Sequence, residues 1–390
     1  MNELCMMTTH PVSSIQPMSY QFPENWADLN IALSHDWLTG MRGGERILEL
    51  LGEGFPDAPI YSLIHNHDSI SDKIASHSIM TSWLQRVPNI RSLYRYFLPL
   101  FPHAIESLKT QNADLLISTS HCVAKGLNMP EGTRHLCYCF TPMRYAWLFY
   151  DEYFGHSRIK KMVFKPVLHA LRKWDYKASE RVDHFVAISQ HVQKRIKAFY
   201  NRDADVVYPP VDTERCTPAS AEHEGYDLIV SALVPYKRID LAVRAYNRLG
   251  YPLKIVGVGT ELDRLRKLAE PTIQFLEWKS DLEIVALYQK CRFLIFPGEE
   301  DFGIVPVEAM ACGRPVIAFG QGGTAETVIH ETTGVHFQEQ TEDSLFEAVE
   351  QAARRAWDSS IIRHQAERFS IQNFLDGLNR SIQKCMAGES

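Results

Sequence analysis

The sequence predicts two doubly wound α/β domains, each built on a parallel sheet with helices on both faces. Three observations carry this. From residue 28 short apolar runs alternate with helical periods, a proline-bearing stretch without periodicity interrupts them at 205–220, and the same alternation then resumes. Apolar runs separated by helical segments indicate parallel strands joined by crossover helices.

In the first half the order is LNIALSHDW, the helical GGERILELLGEGF, then DLLISTSH, HLCYCFTP and HFVAIS ahead of QHVQKRIKAFY. Each apolar run is continuous rather than alternating, the pattern of a strand buried on both faces. In DVVYPPVDTERCTPAS, Pro209 and Pro210 break any helix and mark the entry to a second domain. Beyond it come DLIVSALV, PLKIVGVG, TIQFLEW, CRFLIFPG and RPVIAFG, with DLAVRAYNRLG and ELDRLRKLAE as helices. The predicted divisions are a loose leader at 1–27, one domain at 28–207, a second at 208–368 and a last helix from 369, which the family resemblance given below implies crosses back to the first domain. Ligands of open parallel sheets bind beyond the carboxyl ends of the strands, so the loops after strands are where chemistry is expected.

Of the 390 residues, 45% are hydrophobic and 23% charged, as in ordinary globular domains, and the formal net charge of -6 excludes a chain-wide electrostatic grip on nucleic acid. Eight cysteines without a C-x2-C pair fit a reducing, cytoplasmic setting, with Cys137 and Cys139 read as small core residues. Residues 1–27 lack the basic start and apolar run of a signal peptide, and no apolar stretch approaches the roughly 20 residues that cross a bilayer.

The segment FPGEEDFGIVPVEAMACGRPVIAFGQGG, residues 296–323, follows a strand and opens a helix near Pro306, with Gly313 placed to end it. Glu300 and Phe302 lie in the loop before the helix and Glu308 within it. Backbone N–H groups of Gly303, Ile304 and Val305 at the helix start suit a diphosphate or sugar hydroxyls. SALVPYKRID ends a strand with Lys237 and Arg238, cations whose repulsion by a helix start argues for an anionic ligand. His35 and Asp36 precede Gly40, Gly43 and Gly44, where a backbone could approach a ligand closely. His121, Thr141 and Arg144 follow strands of the first half. VGVGTEL is half a dinucleotide fingerprint without its third glycine, so no redox cofactor is expected.

The string EDFGIVPVEAMACG resembles the E-x7-E signature of retaining glycosyltransferases of the group 1 type, glycosyltransferase family 4. The resemblance runs from about residue 29 to 385 through SHDWLTGMRGGERIL, ISTSHCVAKG, CYCFTPMRYAW, AISQHV, VYPPVDT and SALVPYKRIDLAV. It implies a GT-B fold, and it implies that Lys237 and Arg238 meet the donor diphosphate while Glu300 and Glu308 hold the sugar and the ribose. Gly43 and Gly44 would lie beneath the phosphates, and Trp278 and Lys279 in the loop that holds the nucleobase. The donor implied is a nucleotide-diphosphate sugar, GDP-mannose first, with a glycan or lipid-linked saccharide as acceptor and no metal or cofactor. Two positions depart from the family pattern: Ser231-Ala232 replaces a Gly-Arg pair, and Phe140 replaces a histidine before Thr-Pro. Thr141, Arg144 or His121 would then take up part of the missing hydrogen bonding. Two other readings stay open: a nucleotide-sugar binder without turnover, and a glycoside hydrolase using Glu300 and Glu308.

The stretch 157–179 carries seven Lys or Arg against one Asp, interleaved with apolar residues. Such a helix suits an anionic membrane surface, and equally a core-facing stripe with a charged outer face.

Overall fold

The computed structural model describes residues 20–147, 158–219 and 222–389. They form two compact units that divide between Tyr208 and Pro209. The second unit ends at Phe374, and residues from Leu375 onward belong to the first.

The first unit holds a parallel seven-stranded sheet in the order β3-β2-β1-β4-β5-β6-β7. Its strands are β1 Ile31–His35, β2 Ile60–Ser62, β3 Ile79–Thr81, β4 Leu115–Ser120, β5 Arg134–Cys139, β6 His184–Ala187 and β7 Asp205–Val206. Every residue of β1, β4 and β6 is buried, as continuous apolar runs between two helical layers require. The order reverses between β1 and β4, which pair from Ile31 opposite Leu115 to His35 opposite Thr119. The loops leaving these strands therefore diverge from one point, the usual ligand position in such sheets.

The second unit repeats the plan with six parallel strands in the order β10-β9-β8-β11-β12-β13. They are β8 Asp227–Val230, β9 Leu253–Val256, β10 Ile273–Glu277, β11 Leu294–Phe296, β12 Val316–Phe319 and β13 Gly334–Phe337. Here the reversal lies between β8 and β11, followed by the loops that hold Lys237 and Glu300.

The sequence pattern reveals the long central strands and misses β2, β3, β7 and β13, which have four residues or fewer and show no run of their own. Cys137 and Cys139 are buried in β5. The predicted leader needs correction. Trp26, in a 3-10 turn at Glu24–Asp28, is buried, stacks on Phe55 at 4.5 Å and donates its indole N–H to Asn379 at 3.0 Å. Residues 1–19 lie outside the described part.

The 158–179 stretch is helical from Arg158 to Ser179. Leu168 and Leu171 are buried in the core of the first unit, with Val167 and Trp174 packed beside them. This part of the stripe covers the unit's own core. The side chains of Ile159, Met162 and Val163, named with it, lie outside the described part. Among the described residues no helix is long and apolar enough to cross a membrane.

Candidate active site

In the second unit the loop after β11 runs from Pro297 to Gly303 and feeds the helix Ile304–Ala311. Gly303 takes φ +89, a left-handed conformation that a side chain would strain, and it makes no side-chain cap to the helix, whose first N–H groups have no intrahelical acceptor. Glu300 is fixed from two sides. Its carboxylate accepts from Lys237 Nζ, and its backbone pairs with Gly322 and accepts the N–H of Gly323 at 2.7 Å. Gly322 has φ +77, and a Cβ there would lie 2.4 Å from the Glu300 carbonyl oxygen. Glu300 and Lys237 each keep 18% of their side chain exposed, enough to meet a ligand.

Arg238 turns elsewhere. At φ +54 it ends the short turn that carries Lys237, and its guanidinium reaches the Gln340 side chain at 3.3 Å and Asp240 at 3.6 Å. Gln340 in turn donates to the Pro297 carbonyl at 2.9 Å, so Arg238 braces the loop edge rather than joining the Lys237–Glu300 pair. Glu308 accepts from the Tyr288 hydroxyl at 3.0 Å and faces Arg215 at 3.6 Å. Arg215 is also held by Asp281 at 2.9 Å. Burial, with Glu308 alongside, pushes the Tyr288 phenol up, so it stays a donor at any working pH. Trp278 stands half exposed after β10, and Lys279 pairs with Glu283 at 3.0 Å.

In the first unit the geometry centres on Asp36, which is fully buried. Its two oxygens accept the backbone N–H groups of His121, Cys122, Val123 and Ala124 at 2.6–3.0 Å. The His121 ring adds Nδ1 at 2.8 Å. Burial alone would raise the Asp36 pKa, but the His121 charge and hydrogen bonds outweigh it and hold the carboxyl far below the usual range. An ionised Asp36 can only accept, so His121 Nδ1 carries a proton and Nε2 points away. His121 packs edge-on against Trp37 at 4.7 Å, and the Phe140 ring lies 6.4 Å away.

His35 is buried beside this centre, and burial lowers its pKa. Thr119 Oγ donates to the Ser34 carbonyl, so His35 Nδ1 donates to Thr119 Oγ at 2.7 Å and its tautomer is fixed. Gly43 and Gly44 open the helix Gly43–Gly54. A Cβ on Gly44 would stand 3.2 Å from Phe140 and 3.3 Å from His35, so the phenyl ring lies directly on that helix start. Thr141 is buried, near Arg195 at 3.4 Å, and Arg144 begins the short helix Arg144–Trp147.

Two family models cover most of the chain: Glycosyltransferase Family 4 matches residues 42–215, and Glycosyl transferases group 1 matches residues 211–368. The chain belongs to the group 1 glycosyl transferases. Among relatives of this family member, an uncharacterized glycosyltransferase of Methanocaldococcus jannaschii is 29% identical over 44% of this chain and 50% of its own. A GDP-mannose-dependent alpha-(1-6)-phosphatidylinositol monomannoside mannosyltransferase of Mycobacterium tuberculosis is 30% identical over 49% and 60%. The matched region thus spans about half the length of these curated relatives. The crystal structure of Anabaena HepE with UDP-glucose shares the fold, with a TM-score of 0.68 at 16% identity over 91% of this chain and all of that one. Both sheets have the Rossmann-like order of GT-B glycosyltransferases, and the fold is that class.

Within this group 1 family member, sequence reasoning missed the grip of Asp36 on the 121–124 turn, the Arg215 and Tyr288 partners of Glu308, and Gly322 and Gly323 behind Glu300. Asp36 was readable only as a polar residue after a strand. Its partners are 85 or more residues away in sequence. Among the described residues no cluster of His, Cys, Asp and Glu fit to hold a metal occurs.

Proposed function

We propose that this protein transfers a hexose from a nucleotide-diphosphate sugar to a glycan or lipid-linked saccharide, with retention at the anomeric carbon. The observation that carries the reading is the Lys237–Glu300 pair in the loops that lead to the start of the helix Ile304–Ala311. An ammonium has three N–H donors, and Glu300 engages one, which leaves Lys237 able to bind phosphate oxygens as well. Helix N-terminal amides add a second anion-binding element. Glu308, held by Tyr288 and Arg215, would take the ribose hydroxyls as a fixed acceptor.

In the step itself the acceptor hydroxyl oxygen bonds to the anomeric carbon on the face the diphosphate leaves. The C–O bond to phosphate breaks with its electron pair going to the nucleoside diphosphate, which also receives the hydroxyl proton. Lys237 stabilises the charge that grows on the leaving oxygen, an interaction stronger in the transition state than before it. His121, oriented by Asp36, offers Nε2 to a sugar hydroxyl in the unit where Phe140 cannot hydrogen-bond. No metal is needed in this reading, because the cation and the helix amides neutralise the diphosphate. The GDP-mannose dependence named for the mycobacterial relative favours that donor, and the UDP-glucose bound by HepE is the rival.

A thermal-shift panel with GDP, UDP, ADP and their sugars tests the reading. Ligand at 100 times its dissociation constant adds about 2.7 kcal/mol of stability. Stabilisation by one nucleotide, lost in Glu308→Ala, supports the donor site. Stabilisation by none overturns it.

A further inference from the structure

Glu308 and its partner Arg215 lie on separate segments of the second unit, and both segments meet one side chain that the transfer step does not use. Glu308 is near the end of the helix Ile304–Ala311, and Arg215 sits in the turn that follows the paired prolines. Arg363, from the helix Ser359–Glu367, reaches both. Its Nη1 donates to the Ala311 carbonyl at 2.8 Å and to the Cys216 carbonyl at 2.9 Å, and its Nη2 donates to the Thr213 carbonyl at 3.3 Å. The Ala311 carbonyl is among the last of its helix and has no intrahelical donor. Those of Thr213 and Cys216 stand on either side of Arg215 in the chain.

The surroundings fix this bridge. Glu367 lies 3.0 Å from Arg363 Nε and orients the guanidinium. Gly313, at φ +73, lets the two helices approach, since a Cβ there would collide with Ser359 Oγ. Cys216 and Cys312, the residues after Arg215 and Ala311, are buried with their side chains hydrogen-bonded to each other. The turn itself is closed by Asp212, which accepts the Arg215 N–H at 2.9 Å, and it is tied further back by the Val211 N–H, which donates to the Phe369 carbonyl at 2.8 Å.

We infer that Arg363 is a positioning residue for nucleotide binding: it sets the spacing between Arg215 and Glu308 and so holds the Glu308 carboxylate where the ribose meets it. The inference rests on the reading of Glu308 as the acceptor of the ribose hydroxyls. A guanidinium is a planar fork, so it can span the two segments at one spacing only, whereas an ammonium is a point charge on a flexible stem. A hydroxyl donating to a carboxylate is sensitive to distance and angle, so a displaced Glu308 binds the ribose less well. The diphosphate is different. Its cation, Lys237, is held by Glu300 in the loop before the helix and makes no contact with Arg363. Loss of Arg363 therefore acts on the nucleoside and spares the phosphates.

The experiment is titration calorimetry of the full chain with GDP, UDP and inorganic pyrophosphate, which has no ribose. Arg363→Met should bind the nucleotide that the wild type prefers about fivefold more weakly and pyrophosphate equally well. Adding Arg363→Met to Glu308→Ala should cost no further nucleotide affinity, because the first change acts only through the residue already removed. Arg363→Lys keeps the cation without the fork; it should lose about threefold in nucleotide affinity and carries the test if the methionine variant folds poorly. Arg368→Met, exposed at the end of the same helix, should bind like the wild type. Unchanged nucleotide affinity in both Arg363 variants, an equal loss for pyrophosphate, or additive losses in the double variant would each overturn the inference while leaving the donor site standing. A wild type that binds neither nucleotide would overturn the reading of Glu308, and the inference with it.

Discussion

Each unit places a carboxylate at its sheet reversal, Asp36 on the β1 side and Glu300 on the β11 side, and uses it in its own way. Asp36 follows β1, is fully buried, and spends both oxygens on four backbone N–H groups and the His121 ring. Glu300 follows β11, stays partly exposed, and is met by one flexible ammonium. A carboxylate saturated by its own backbone organises a loop, whereas one held by a side chain that can move keeps capacity for a ligand. Position in the fold therefore does not assign the role; the partners do.

The largest effect that could break this contrast is on stability. Asp36→Ala leaves four amides and a histidine without their acceptor, and unfolding of the first unit in urea should become easier by about 3–5 kcal/mol. The Asp36 carboxyl titrates lower in the folded state than its ordinary value near 3.8, so its contribution is complete above about pH 4 and drains away as pH falls toward the folded value. Wild type should thus lose stability below pH 4 faster than Asp36→Asn. Equal slopes would place Asp36 outside the load on this loop.

Next in size is the chemical step. Lys237→Ala should lower turnover by about 3 kcal/mol, a factor of 10²–10³, while the melting temperature moves little, because a partly exposed pair adds little to folding. A large drop in melting temperature would make Lys237 a structural partner like Asp36 and erase the contrast.

Gly322→Ala probes the rear of the Glu300 loop. With φ +77 and a Cβ 2.4 Å from the Glu300 carbonyl, the loop must shift, costing about 1–3 kcal/mol and weakening nucleotide binding. Unchanged nucleotide binding in this variant would show that the loop tolerates displacement.

The smallest effects concern orientation. Arg215→Ala should raise the KM for the donor roughly tenfold with little change in kcat, if its role is to hold Glu308 in place. His35, with its pKa lowered by burial, must stay neutral to remain folded, so stability falls as pH drops below 6.5. A His35→Gln variant should flatten that slope between pH 6.5 and 5, and a calorimetric series would read it.

Much of the site was legible because the family string around Glu300 and Glu308 is local, a loop and one helix read from consecutive residues. Gly303 and the helix start follow from the same few positions. The pairing of Lys237 with Glu300 was not, since 63 residues separate them and nothing local says that Lys237 turns toward the loop while Arg238 turns toward Gln340. The departure at Phe140 was visible as a missing imidazole. That its ring lies on Gly44 beside His35 and His121 was not.

The sequence by itself determined what depends on period and local chemistry: two doubly wound sheets, the break at the paired prolines, and the glycine that opens the helix Ile304–Ala311. Tertiary structure alone decided which apolar faces are spent on the core. The 158–179 helix turns Leu168 and Leu171 inward, while the 83–100 turns, with no periodicity to announce them, hold Trp83, Leu93, Tyr96 and Leu100 at the surface. The reason is that burial is a property of partners distant in the chain. Hydrophobic pattern states that a face needs cover, and only packing states what covers it.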